Sequence, residues 1–167
     1  YNTKILNQVV SPDEQKLRSA EYEKQYKKYH QKPQPRITQV SYEIDIFPEK
    51  RGMEMRGKAK LRNLSGQPVS EIHFSIDNEH ETEIRLANSS LATDDKRHFY
   101  RIYKLNPPMQ PGEERDAAFT VRGEQKGFSN SVERRQFVQN GTFFNNGVAP
   151  QIGYDPGREL SDRNDRR

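Results

Sequence analysis

The sequence predicts a mainly β protein: an antiparallel, saddle-like β-sandwich preceded by one long N-terminal α-helix. Between residues 36 and 123, short stretches of alternating apolar and polar residues recur, separated by turn residues and without helical patterns between them. Before them, a run of helix formers without Gly or Pro follows a capping serine. We therefore expect a helical arm with a proline linker over 1–35, a sandwich core over 36–124 and an irregular tail over 125–167.

Composition supports one core with polar appendages. The 167 residues are 31% hydrophobic and 31% charged, and the formal charge is +4. An aromatic share of 10% is too high for a disordered chain. Because cysteine is absent, disulfides, thiolate metal sites and cysteine nucleophiles are excluded. No run of the sequence is apolar enough to resemble a membrane span.

The helix is predicted from about residue 12 to residue 30. It opens with Ser11-Pro12-Asp13-Glu14, where Ser11 caps free amides and Glu14 completes a capping box. The prolines that follow residue 32 end it. Most of its surface is polar, but three aromatic residues share one stripe: Tyr22, Tyr26 and Tyr29. This stripe favours packing on the protein's own domain, with a partner or membrane-surface contact as the alternative.

The first strand is expected over residues 37–46 as a half-buried strand, with one apolar face formed by Val40, Tyr42, Ile44 and Ile46. After a turn over 48–52, a second strand is expected to bury small and flexible residues: Met53, Met55, Gly57, Ala59 and Leu61. Its outer face is basic and consists of Arg56, Lys58, Lys60 and Arg62. A solvated strand face is expected there, with contact to phosphate or anionic lipid as the alternative.

Further strands are expected around 72–76, 83–87, 98–105 and 116–122. The last should direct Ala117, Phe119 and Val121 inward. Residues 106–112 contain three prolines and a glycine and are expected to form a loop. The tail after Gly123 either coats the sandwich or completes a neighbouring domain.

No complete active site is recognisable in the sequence, and no cofactor is expected in this chain. The zinc pattern HExxH is absent, and the histidines lack ligand-like spacing: His30, His73, His80 and His98. His80 lies in an acidic stretch that could hold a weak cation, although a solvated loop is expected instead. Nucleic-acid binding is not expected, because 28 basic and 24 acidic residues are mixed along most of the chain.

The strand sequence nevertheless resembles a known family. Residues 42–61, continued by 72–76, look like the opening strands of the aminopeptidase-N-like zinc metallopeptidases, which begin with a β-sandwich or saddle domain. The loop over 107–112, the aromatic turn over 140–146 and the strand over 149–154 resemble later parts of that domain. The amino-acid sequence of the tail most resembles that of bacterial proteins that fuse an aminopeptidase-like region to an ABC-transporter-permease-like membrane part.

This resemblance implies a non-catalytic N-terminal domain of a bacterial, membrane-anchored metalloprotein, standing on the extracytoplasmic side. The zinc and the catalytic domain would belong to the parent chain beyond Arg167, which would also bind the peptide substrate, and adjacent segments would reach the membrane. By resemblance, Gln151 is the candidate to grip a substrate's free amine. The acidic residue that accompanies the glutamine in active members falls at Gly153.

A second function class fits the same fold. The chain could be a free-standing immunoglobulin-like module that binds protein or carbohydrate at the cell surface. Exposed loop aromatics would favour this alternative, and the candidates are Phe143, Phe144 and Tyr154.

Overall fold

The computed structural model describes residues 11–50, 52–124, 137–138, 141–142 and 148–160. One helix, α1 (Pro12–Tyr26), continues into a short 3-10 turn over Lys27–Tyr29. The strands are β1 (Arg36–Phe47), β2 (Gly52–Arg62), β3 (Val69–Ser75), β4 (Glu81–Leu86), β5 (Ser89–Asp95), β6 (Tyr100–Met109), β7 (Glu114–Glu124), β8 (Phe137–Val138), β9 (Gly141–Thr142) and β10 (Gln151–Ile152). Short 3-10 turns also cover Pro48–Lys50 and Pro156–Arg158.

Two antiparallel sheets form the predicted β-sandwich. Sheet A has the strand order β1-β2-β7-β4 and sheet B the order β10-β3-β6-β5, while β8 and β9 pair separately. The core lies between the sheets, and its members include Met55, Leu61, Phe74, Phe119 and Val121. The inward faces predicted for β2, β3 and β7 are therefore confirmed, because their period-2 alternation matches the pleat of each strand.

The helix packs on the outer face of sheet B, which makes the domain three layers deep. The Glu14 amide donates to Ser11 Oγ at 3.2 Å, as the capping pattern predicts. Tyr22 and Tyr26 are each 2% exposed and pack with Tyr100 and Ile102 of β6. Of the two interpretations of the tyrosine stripe, packing on the protein's own domain is the one observed.

The prediction that β1 is half-buried is wrong. Its apolar residues Val40, Tyr42, Ile44 and Ile46 face the same side as the core residues of β2, yet they are 39–49% exposed. The reason is the strand order. β4 and β5 are joined by a tight turn and form the two edge strands on one side of the sandwich. β1 and β10 are therefore the edge strands on the other side. Because β10 is only two residues long, no described strand of sheet B covers β1.

Two further expectations need correction. The strand β5 was not predicted, because its residues are polar and lack alternation; its pairing with β6 creates the strand. Likewise β6 extends through Met109 into the predicted loop. Its two prolines, Pro107 and Pro108, lie where the register between β3 and β6 shifts, so their missing N–H groups cost no ladder hydrogen bond.

Candidate functional site

Gln151 lies on β10, the edge strand of sheet B, where it pairs with Ser75 of β3. The glutamine side chain is exposed, while Val148 and Pro150 on the same segment are buried. The strand is therefore anchored from the core and presents Gln151 at a fixed position on the sheet edge. That Gln151 grips a substrate amine stays a prediction.

Gly153 adopts a backbone conformation that suits glycine. Its φ is +92°, its N–H donates to His73 O at 2.9 Å and its carbonyl accepts from Ser75 Oγ at 3.0 Å. A side chain at this position would have open space, with the nearest atom 3.9 Å away on Gln34, but the backbone would be strained. The conformation and contacts of residue 153 therefore favour glycine at this position.

His73 is enclosed between sheet B and the helical segment. It is 1% exposed, its Nδ1 lies 2.8 Å from the Tyr100 hydroxyl and its Nε2 lies 2.8 Å from Glu71, which also pairs with Lys32. Burial lowers the pKa of His73, and the hydrogen bond that His73 makes to the Glu71 carboxylate opposes this shift. The neutral ring satisfies this network when Nε2–H donates to Glu71 and Nδ1 accepts from Tyr100. Both ring nitrogens are then occupied by structural contacts.

His80 and His98 are also tied to neighbouring side chains. The stretch around His80 is a loop with Asn78 and Glu79 exposed, as expected, but the His80 side chain itself is only 4% exposed: it bonds Asp77, and its ring covers Gly123. The absence of a side chain at Gly123 makes this close packing possible. His98 Nδ1 lies 2.8 Å from Asp95, whose carboxylate also accepts from the Tyr26 hydroxyl at 2.5 Å.

The described residues offer no donor set that fits a zinc ion. Across the part of the chain that the structure describes, no group of three His, Asp or Glu side chains could hold a metal. His73, His80 and His98 are each committed to a carboxylate partner of their own. No chemical step is therefore assigned to zinc in these residues.

An exposed apolar surface runs along β1. We define the β1 face as Val40, Tyr42, Ile44 and Ile46. On the opposite side of the strand, Arg56 of β2 forms ion pairs with the carboxylates of Asp45 at 2.6 Å and Glu43 at 3.4 Å. The outer edge of β1 has no strand partner among the described residues. A long apolar edge strand without a cover is a feature that soluble proteins usually avoid unless another surface packs on it.

Of the aromatic candidates for the alternative of a module that binds protein or carbohydrate, Tyr154 is the one among the described residues. Tyr154 is partly buried and stacks on Tyr22, with ring centroids 5.0 Å apart, and its hydroxyl donates to Glu159 at 3.1 Å. Phe143 and Phe144 lie outside the described residues. Tyr154 therefore serves to hold the chain against α1.

Comparison with known proteins leaves the family open. No protein-family model matches the chain, and no curated protein matches it. Among the described residues, no helix combines the length and apolar character needed to cross a membrane. The aminopeptidase-N-like resemblance thus depends on the residues named above, and the function that it implies enters as a proposal.

Proposed function

We propose that this chain is the non-catalytic N-terminal β-sandwich of an aminopeptidase-like, membrane-anchored zinc metalloprotein. It shapes the substrate cleft and docks on a zinc peptidase-like domain of the same parent chain. The observation that carries the proposal is the β1 face, an apolar strand surface that is open to a partner. The resemblance of residues 42–61 and 72–76 names the class of that partner.

The energy available from the β1 face suits a partner on the same polypeptide. Its four side chains are 39–49% exposed. Burying these exposed parts is worth roughly 3–5 kcal/mol before the costs of association are subtracted. That sum is too small for tight binding of a free partner but is sufficient when a linker raises the effective concentration. A domain of the parent chain meets this condition.

The position of Gln151 supports the same arrangement. Gln151 lies on β10 and the β1 face on β1, and these strands form the edges on one side of the sandwich. A domain that covers the β1 face would therefore lie beside the strand that presents Gln151. A cleft between the two domains would include this glutamine, where its amide could accept a hydrogen bond from a substrate amine.

The first test is activity and metal content of the 167-residue chain. After treatment with a chelator and repurification, the chain should hydrolyse no aminoacyl anilide and retain no stoichiometric zinc when zinc is added back and dialysed. Hydrolysis that persists in the metal-free protein would overturn the proposal. The parent reading frame supplies a second result: an HExxH pattern is expected downstream of Arg167, and a stop codon soon after Arg167 would contradict the proposed parent.

The second test addresses docking in the full parent chain. Ile44→Glu places a charge on the β1 face, whereas Ser41→Glu places the same charge on the opposite side of the same strand. The Ile44 variant should release the sandwich, so that limited proteolysis separates it from the rest of the parent at lower protease concentration. The Ser41 variant should behave as wild type. Equal protease resistance of both variants would overturn docking through β1.

A further inference from the structure

A groove that the proposed function does not use opens on sheet A. Its volume is about 860 Å³, within the range of small-molecule sites. Its lining comes from all four strands of this sheet and extends to Ser89 of β5 and Tyr103 of β6. The polar residues on the outer face of sheet A that line it are Gln39, Ser41, Lys58, Lys60, Arg85 and Asp116. The groove contains part of the basic face of β2, for which the sequence left phosphate contact open.

Strand register fixes where the cations lie. Lys58 of β2 pairs with Ala118 of β7, and Ala118 pairs on its other side with Arg85 of β4. Residues paired in this way share one face of the sheet, so Lys58 and Arg85 flank the small Ala118 side chain. Two strand spacings separate their Cα atoms by about 10 Å. We call Ser41, Lys58, Ala118 and Arg85 the cationic row, since Ser41 pairs with Lys58 and completes it.

The cationic row differs from its neighbours in charge. In the adjacent row, Arg56 contacts Glu43 at 3.4 Å, and across the sheet Arg122 contacts Glu54 at 2.8 Å. The cationic row itself contains no carboxylate. Lys58 has no ion-pair partner among the described residues, and Arg85 is 83% exposed with only a 3.9 Å contact to Glu83. Two positive charges therefore face the groove without close neutralisation.

We propose that this groove binds a small polyhydroxylated ligand through an oxyanion, a phosphate ester or a carboxylate, held between Lys58 and Arg85 above Ala118. The cations supply charge-assisted hydrogen bonds to the oxyanion. The Ser41 hydroxyl, the Gln39 amide and the Asp116 carboxylate line the same groove and are suited to ligand hydroxyl groups. This proposal is independent of the aminopeptidase-like assignment.

The acidic surroundings restrict the ligand to a small molecule. Glu43 and Glu83 lie in the row on one side of the cationic row, and Asp116 lies in the row on the other side. These carboxylates would repel an extended polyanion or an anionic membrane, whereas one compact oxyanion fits between the two cations. The groove therefore favours an acidic or phosphorylated sugar over nucleic acid or lipid.

The test is a titration of the ¹⁵N-labelled protein followed by amide chemical shifts. The probes are glucose 6-phosphate and glucuronate, with glucose as the uncharged control. A saturable shift at Lys58, Ala118 and Arg85 is expected with at least one charged probe and not with glucose. Saturation by the phosphate alone identifies a phosphate ester as the ligand group, and saturation by glucuronate alone identifies a carboxylate.

Variants distinguish a specific binding site from general attraction between opposite charges. The double variant Lys58→Gln with Arg85→Gln should weaken binding about tenfold or more, because two charge-assisted contacts are lost. Arg62→Gln removes a cation from the same face of β2 outside the groove lining and should leave the affinity unchanged. The proposal is overturned if neither charged probe saturates, if the double variant binds as wild type, or if Arg62→Gln weakens binding equally.

Discussion

The ring of Phe119 on β7 lies directly against the backbone of Gly57 on β2. The two residues are register partners, and a Cβ built on Gly57 would come within 2.1 Å of Phe119 Cζ. The same aromatic ring also meets Tyr42 of β1 edge to face, with ring centroids 6.0 Å apart. Because Gly57 has no side chain, the Phe119 ring of β7 can lie across β2 and reach Tyr42 of β1. The ring thereby links the core to the β1 face.

Gly57→Ala should destabilise the protein by about 1–3 kcal/mol, since the added methyl group overpacks the core against Phe119. Chemical denaturation in urea measures this change. Phe119→Leu removes the obstructing ring atoms and provides the partner for a double-mutant cycle. The two substitutions together should cost less than the sum of their separate effects. Strict additivity would contradict the packing described for this pair.

Substitutions on β1 should cost far less than substitutions in the core. Ile44→Ala removes a side chain that is 44% exposed and should lower the free energy of unfolding by less than about 1.5 kcal/mol. Ile72→Ala removes one that is fully buried and should cost about 2–5 kcal/mol. Thermal or urea unfolding of both variants measures the difference. Comparable losses would show that the β1 face is covered in the isolated chain.

The Tyr26 hydroxyl should contribute to holding α1 on sheet B. Tyr26→Phe removes its hydrogen bond to Asp95 and should cost about 1–2 kcal/mol, since that acceptor is charged. Tyr29→Phe is the matched control, because its ring is partly buried and its hydroxyl has no hydrogen bond among the described residues. It should change the unfolding free energy by under about 0.5 kcal/mol. Equal effects of the two substitutions would contradict this role.

Stability should fall as pH decreases below about 6.5, the ordinary pKa of histidine. Burial lowers the pKa of His73 in the folded state, so the unfolded chain binds a proton first. The folded state therefore loses stability as pH falls from about 6.5 towards the folded pKa, and this loss levels off below the folded pKa, where both states are protonated. Urea unfolding at several pH values between 7.5 and about 4.5 measures the slope.

His73→Gln should make this pH dependence shallower. His30→Gln is the control, because His30 is exposed and its replacement should leave the slope as in wild type. The prediction fails if the His73 variant keeps the full wild-type slope. Glu71, Lys32 and Tyr100 surround the ring, so the comparison is made between variants that keep all three.

Local signals in the sequence account for α1 and for the central strands of the sandwich. Ser11 and Glu14 mark the start of α1, because a capping box depends only on residues three apart. Alternation in β2 predicts its core face, from Met53 to Leu61, because side chains of any strand point to opposite faces in turn. The strand β5 escaped prediction because its polar residues become a strand only by pairing with β6.

The candidate sites depend on contacts that no local pattern encodes. His73 alternates outward in β3, as the sequence indicates, but α1 and its 3-10 extension cover that face and bury the ring. Lys58 and Arg85 are 27 residues apart in the sequence, and the register of β2, β7 and β4 brings them to either side of Ala118. A shift of one residue in either pairing would move one cation to the other face.

The sequence by itself determined the β-sandwich class, the capped helix and the inward faces of the central strands, because periodicity and capping act over a few neighbouring residues. Only the tertiary structure decided which apolar faces are covered. The alternating faces of β1 and β2 look equally suitable for burial, yet β2 lies inside sheet A and β1 at its edge. Burial depends on what lies opposite a strand, and strand order rather than local sequence sets that.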